Sequence, residues 1–177
     1  WEVGRIAEDQ GCAVVMTKVQ QIRKSGDVMS HQVDWNPESW KTPSLQMFQP
    51  QISMFATKCR QENGKHNISR QDVLSLSSSV EDVFIGSMIF GYGPIALGPT
   101  RVGRVISENP DLIGKLHRQY AAAAFGASRS WTSHTDVDRV MYLGPAFATK
   151  FAYFAARKQG ADGVIPLIAD KNTSWAM

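Results

Sequence analysis

The stretch Leu143-Gly144-Pro145-Ala146-Phe147-Ala148-Thr149-Lys150-Phe151-Ala152-Tyr153-Phe154 decides how this chain is read. Gly144-Pro145 marks a tight hairpin. From about Ala148 to Lys158 the spacing predicts a helix, with Phe151, Phe154 and Ala155 on its core side and Tyr153 at its edge. Gly160 and Gly163 break it. On the upstream side, Thr135 with Asp138 is a capping pattern followed by Val137, Val140, Met141 and Leu143. On the downstream side, the apolar run Val164-Ile165-Pro166-Leu167-Ile168-Ala169 is too short for a typical helix, and Asp170 is placed to cap a last one at 171–177. The unit from Thr135 to Asp170 is therefore helix, hairpin, helix, apolar segment, lone aspartate.

That order has chemical content. A tight hairpin between helices exposes backbone N–H groups beside a helix start, where a nucleic-acid phosphate can sit without any sequence-specific contact. Lys150 starts the second helix and Asp170 the next, and the return segment between them can bring both starts to one cleft. A lysine partly removed from water gives up its proton more readily. The neutral amine can then form a Schiff base, while a facing aspartate stabilises positive charge on a sugar or accepts a proton. Spacing alone favours the plainer reading, in which Lys150 is a solvated helix lysine and Asp170 an N-cap.

Further upstream, Ser78 and Glu81 form a capping box for a helix over about 79–90, with Val80, Val83, Phe84, Ile85, Met88 and Ile89 as a broad apolar face. Gly91, Gly93 and Pro94 end it. Pro99 opens the next helix, with Val102, Val105 and Ile106 on one face and Arg101 and Arg104 on the other. Asn109-Pro110-Asp111 reads as cap, first-turn proline and first-turn acid of a further helix that packs through Leu112, Ile113, Leu116, Tyr120 and Ala123/Ala124 and ends at Gly126. The expected fold class is all-α, an orthogonal helical bundle at residues 75–177. Residues 1–74 are expected to be an irregular segment packed on it. There, 10–24 holds a short helix after the patch Cys12 to Met16, prolines break residues 33–52, Trp35 and Trp40 are buried, and Glu62-Asn63-Gly64-Lys65 is a turn.

The 177 residues are 43% hydrophobic and 20% charged, which excludes disorder along the whole length. Residues 101–160 hold nine basic and four acidic side chains, and supply the whole of the +3 formal charge. Such asymmetry suits a phosphate-facing surface as well as an ordinary solvated face. Two isolated cysteines, four scattered histidines and no HExxH exclude a disulfide framework and a metal site, so neither metal nor cofactor is expected, in a reducing compartment. Gly91-Tyr92-Gly93 fails the full G-x-G-x-x-G pattern. No apolar run reaches a membrane span, and no signal segment is evident. Trp1 at the start and Met177 inside an unfinished element are what a trimmed fragment would show.

The quoted 143–154 stretch resembles the hairpin region of bacterial proteins with the 8-oxoguanine DNA glycosylase fold, in the helix-hairpin-helix glycosylase superfamily. Pro166-Leu167-Ile168-Ala169-Asp170 is similar to the segment that carries that superfamily's catalytic aspartate. Met88 to Pro94 and Gly98-Pro99-Thr100-Arg101 are similar to a glycine-rich stretch of the same proteins. The resemblance implies a DNA glycosylase with Lys150 as amine nucleophile, Asp170 promoting base loss, and AP-lyase action in the bifunctional case. Gly144, Ala146, Phe147, Ala148 and Thr149 are then the expected DNA contacts of the hairpin; Arg101 and Arg104 either meet phosphates or merely solubilise a helix, and Tyr92 and Tyr153 are the candidate base-pocket residues. The expected partner is double-stranded DNA with a damaged or modified base, bound by a cytoplasmic, nucleoid-associated monomer that serves repair or acts against foreign DNA.

The superfamily hairpin reads leucine-x-glycine-x-glycine-x-lysine. Aligning Lys150 puts Ala146 and Ala148 in the glycine slots; aligning Gly144 puts Ala148 in the lysine slot and makes the enzyme monofunctional, with Asp170 activating water. A non-catalytic DNA-binding module and a helical interaction protein stay open beside these. Tyr142 and Phe147 join Tyr92 and Tyr153 as aromatic residues that either stack on a base or fill the core.

Overall fold

The computed structural model describes residues 28–62, 64–161 and Ile168. Gln32 begins the compact unit that carries the site, and the 3-10 turn Val28–Ser30 belongs to the unit before it. The 10–24 helix with its Cys12 to Met16 patch, the 164–169 run apart from Ile168, Asp170 and the last helix all lie outside the described residues.

The described unit is an orthogonal bundle of seven α-helices containing a helix-hairpin-helix, as the sequence predicts. Helix α1 spans Gln49–Lys58, α2 Arg70–Leu76, α3 Val80–Tyr92, α4 Leu97–Ser107, α5 Leu112–Ala123, α6 Ala127–Thr132 and α7 Pro145–Lys158. The central element is α3, buried at eleven of its thirteen residues. A helix apolar all round must be enclosed on every side, and α1, α2, α4, α5 and α7 all pack on it. Phe84 lies 5.6 Å from Phe48 and 5.8 Å edge-on from Phe151, and Phe90 meets Phe154 edge-on at 5.6 Å. Each such ring removes enough apolar surface from water to stabilise the fold by about 1.5–3 kcal/mol. Edge-to-face pairing adds about 0.5–1.5 kcal/mol.

A small antiparallel sheet was not expected. Strand β1 spans Gln32–Trp35, β2 Gln61–Glu62 and β3 Lys65–Ser69, in the order β1-β3-β2 with Val33 opposite Ile68. The β2–β3 link is the predicted turn, with Gly64 at φ +74°. Trp35 and Trp40 are buried, as predicted.

Several helix starts differ from the sequence reading, each for a local reason. The capping box of α3 pairs Ser79 with Asp82 rather than Ser78 with Glu81; the Asp82 carboxylate accepts from the N–H groups of both serines and from the Ser78 hydroxyl. Helix α4 begins at Leu97, two residues before Pro99. Asp111, not Asn109, occupies the N-cap position of α5, because the Asn109 side chain is engaged with a segment 32 residues away. Thr135 and Asp138 do not cap a helix. Residues Ser133–Val137 form a π turn, and Asp138 is buried in ion pairing. Helix α7 begins at Pro145 rather than near Ala148, since a proline at the first helical position leaves no N–H to satisfy.

Candidate active site

Residues 138–144 form the hairpin in front of α7. Val140 and Leu143 are buried, while Arg139, Met141, Tyr142 and Gly144 are exposed. Side chains from elsewhere fix its backbone. The Asn109 carboxamide donates to the Met141 carbonyl at 3.0 Å and accepts the Met141 N–H at 2.9 Å. The Lys115 ammonium donates to the Arg139 carbonyl at 2.9 Å. The Gln119 amide donates to the Asp138 carbonyl at 2.8 Å. The Asp138 carboxylate accepts from the Arg118 guanidinium at 2.6 Å and from the Ser133 hydroxyl at 3.0 Å. Gln119 also meets His134 Nδ1 at 3.1 Å. Burial lowers the His134 pKa to about 4, with the Arg139 charge acting in the same direction, so the imidazole is neutral at neutral pH. Sequence reasoning missed all of these bracing residues; Asn109 and Asp138 were noticed only as helix caps, and nothing local marks a long-range polar clamp.

Helix α7 opens without a side-chain cap and without an acid in its first turn. Pro145 has no N–H, and those of Phe147 and Ala148 both turn back to the Gly144 carbonyl at 3.0 Å. The Ala146 N–H has no backbone acceptor among the described residues. The positive end of the helix dipole therefore stands at the hairpin surface.

One turn into α7, Lys150 is buried, 9% exposed. Its stem crosses the last turn of α3 at Gly91. A Cβ on residue 91 would lie 2.9 Å from Lys150 Cδ and 2.9 Å from Phe147 Cε1, so only glycine admits this approach. The ammonium is 3.4 Å from the Ala146 carbonyl oxygen and 5.2 Å from the centre of the Phe147 ring. Phe147 in turn stacks on Tyr92 at 4.0 Å, 19° from parallel. Tyr92 is itself buried, which raises its pKa although Arg101 opposes the shift.

The structure thus gathers Lys150, Phe147 and Tyr92 around Gly91, next to the open helix start at Gly144 and Ala146. It does not bring Tyr153 into that group: this residue lies against Phe154 and beneath Arg157. Ala148 and Thr149 are buried, the Thr149 hydroxyl donating to the Pro145 carbonyl at 2.9 Å. Arg101 and Arg104 are exposed on α4, and the Arg104 guanidinium sits 3.8 Å over the ring of Tyr142. Asp170 is outside the described residues. Among the described residues no cluster of histidine, cysteine and carboxylate could hold a metal ion, and no helix is long and apolar enough to cross a membrane.

A protein-family model described as "Putative 8-oxoguanine DNA glycosylase OGG-like protein" matches residues 26–177. No match is found among curated proteins or among solved structures.

Proposed function

The chain belongs to the OGG-like 8-oxoguanine DNA glycosylase family, within the helix-hairpin-helix superfamily, and from that premise we propose that it excises 8-oxoguanine using Lys150 as nucleophile. Membership makes it a DNA glycosylase that binds DNA in base excision repair. The identity of the base, the two catalytic side chains and the lyase step are our reading.

The observation that carries it is the placement of Lys150. A lysine on a helix exterior keeps its ammonium in water, whereas this one is laid over Gly91 and shielded by an aromatic pair. Laid over a glycine of another helix, the amine is held in one place beside the open start of α7, which is what a positioned nucleophile requires. Of the two hairpin alignments, this supports the one that makes Lys150 the nucleophile, because Ala148, its rival for the slot, offers only a methyl group to the core.

In the proposed reaction the duplex lies across the hairpin, with one phosphate at the uncapped start of α7 near Gly144 and Ala146, and neighbouring phosphates near Arg101 and Arg104. The target nucleotide leaves the stack at a cost of a few kcal/mol, least for a damaged base. The Lys150 amine, on giving up its proton, attacks C1′. The C1′–N bond breaks, and its electron pair leaves with the base, which takes up a proton. Asp170 stabilises the positive charge that develops on the sugar. Opening of the sugar ring with loss of a proton from nitrogen gives the Schiff base. Removal of a C2′ proton expels the 3′ phosphate and nicks the strand. Of the two tyrosines expected at the base pocket, Tyr92 packs beside Lys150 through Phe147 and is the one we assign to it; Tyr153, turned against Phe154 and Arg157, is not assigned to it. The enzyme acts as a monomer.

Single-turnover digestion of a duplex bearing 8-oxoguanine opposite cytosine, with and without hot alkali, tests this. The lyase reading predicts strand nicks before alkali. Nicks only after alkali would select the monofunctional route through Asp170 and water. Binding without base release from a broad lesion panel would leave a non-catalytic module.

A further inference from the structure

Four aromatic residues near the hairpin divide sharply by exposure. Tyr92 and Phe147 are stacked together and Tyr153 leans on Phe154, but Tyr142 is 51% exposed. Tyr142 is also the one non-glycine residue with positive φ, +65°, among the described residues. A bulky side chain is disfavoured there and persists only when its surroundings impose it. The surroundings are visible: Asn109 holds Met141 through both backbone groups, and Leu143 is buried with its N–H on the Val140 carbonyl at 3.3 Å. The result is a strained backbone that turns an apolar ring toward water, with Arg104 lying on it at 3.8 Å.

Beside the ring runs a cleft of about 470 Å³, lined by Trp131, His134, Arg139, Tyr142 and Gly144 among others. That is the size of a small-molecule site. No carboxylate among the described residues lines it, and Trp131, like Tyr142, is about half exposed. The cleft reaches Gly144, the residue at which α7 opens. A nucleotide next to a phosphate held at that helix start would bring its base here. Flat rings flanked by guanidinium groups suit a nucleobase with its anionic backbone, whichever base it is.

We propose that Tyr142, held under Arg104, is the surface on which an unpaired base of the bound DNA stacks, so that the enzyme favours duplexes already opened at one position. This rests on the glycosylase reading, and Tyr142 acts by positioning DNA rather than on the reacting bond.

The test measures equilibrium binding to two duplexes that differ only in one unpaired 2-aminopurine. Tyr142→Gly removes the ring while suiting the backbone, and Tyr142→Trp keeps an aromatic face. Tyr142→Gly should weaken binding to the opened duplex roughly 5- to 100-fold, the loss expected for one base–aromatic stack. Its binding to the fully paired duplex should change less than about 2-fold, while Tyr142→Trp stays near wild type on both. Fluorescence of the unpaired base should be quenched by wild type and not by Tyr142→Gly. Equal losses on both duplexes, or none on either, overturn the proposal. If that happens while the wild type still releases its base, Tyr142 alone has been misread; a wild type that binds neither duplex takes the glycosylase reading down as well.

Discussion

Helix α3 begins with a carboxylate folded back on its own backbone, and helix α7 begins with a glycine and a proline that cap nothing. At α3 the Asp82 side chain accepts bonds from Ser78 and Ser79, and Ser79 receives the Asp82 N–H. At α2 the same arrangement recurs with Ser69 and Asp72. Both of those starts neutralise the positive end of the dipole internally. At α7 no side chain among the described residues does so, and Gly144 borders open space. Among the described helices only α2 and α3 carry such a box; α1, α4, α5, α6 and α7 open without a side-chain cap, and in the proposed reading the open start of α7, beside the exposed Gly144, is the one a DNA phosphate completes. The polar side chains absent from the α7 cap are instead spent behind it, bracing the hairpin through Asn109, Lys115, Gln119 and Asp138.

The largest effect should come from removing that brace by protonation. His134 has a folded pKa of about 4, below its ordinary value of 6.5, so the folded state binds fewer protons than the unfolded one. Its contribution to stability is complete above about pH 6.5 and is lost as pH falls toward 4, up to roughly 3 kcal/mol. The Arg139 charge acts on it and Gln119 bonds its Nδ1, and both residues are present in the two proteins compared. Thermal melts of wild type and His134→Gln between pH 7 and 4 should show a smaller fall in the variant.

Gly91→Val attacks the site rather than its support. Its side chain must displace Lys150 Cδ and the Phe147 ring. A displacement of about 1 Å costs on the order of 100-fold in single-turnover base release, while overpacking costs about 1–3 kcal/mol of stability. A rate that survives would mean the amine need not lie where it does.

The smallest effects come from exchanging the two kinds of helix start. Gly144→Asp closes α7 and should raise stability by only a few tenths of a kcal/mol. It should weaken duplex binding roughly 10-fold at low salt, less as salt rises. Ser79→Ala opens α3 and should cost about 1 kcal/mol in denaturant melts without altering DNA affinity. Reversal of that pattern would dissolve the distinction between the two starts.

How much of this was legible beforehand follows from the range of the interactions involved. The apolar surround of α3 and the two-faced pattern of α4 are periodic signals, and both are seen with Val102 and Val105 inside and Arg101 and Arg104 outside. The α3 cap was misplaced by one residue because Ser77-Ser78-Ser79 followed by Glu81-Asp82 offers two boxes of equal spacing. The sheet escaped notice because β2 has two residues and β3 reads Lys-His-Asn-Ile-Ser, with no alternation of apolar and polar. Asn109 misled because its side chain bonds across 32 positions, which no local pattern records. Lys150 could be singled out only by family likeness. Its burial over Gly91 depends on two helices crossing, and a string of residues does not contain that crossing.

The central claim is that the amine of Lys150 attacks the sugar, and borohydride reduction during turnover on an 8-oxoguanine duplex tests it most directly. The account predicts a covalent protein–DNA adduct whose DNA-bearing peptide contains residue 150, absent in Lys150→Gln although that variant still binds the duplex. An adduct mapped to another residue, or undiminished adduct in Lys150→Gln, would contradict it.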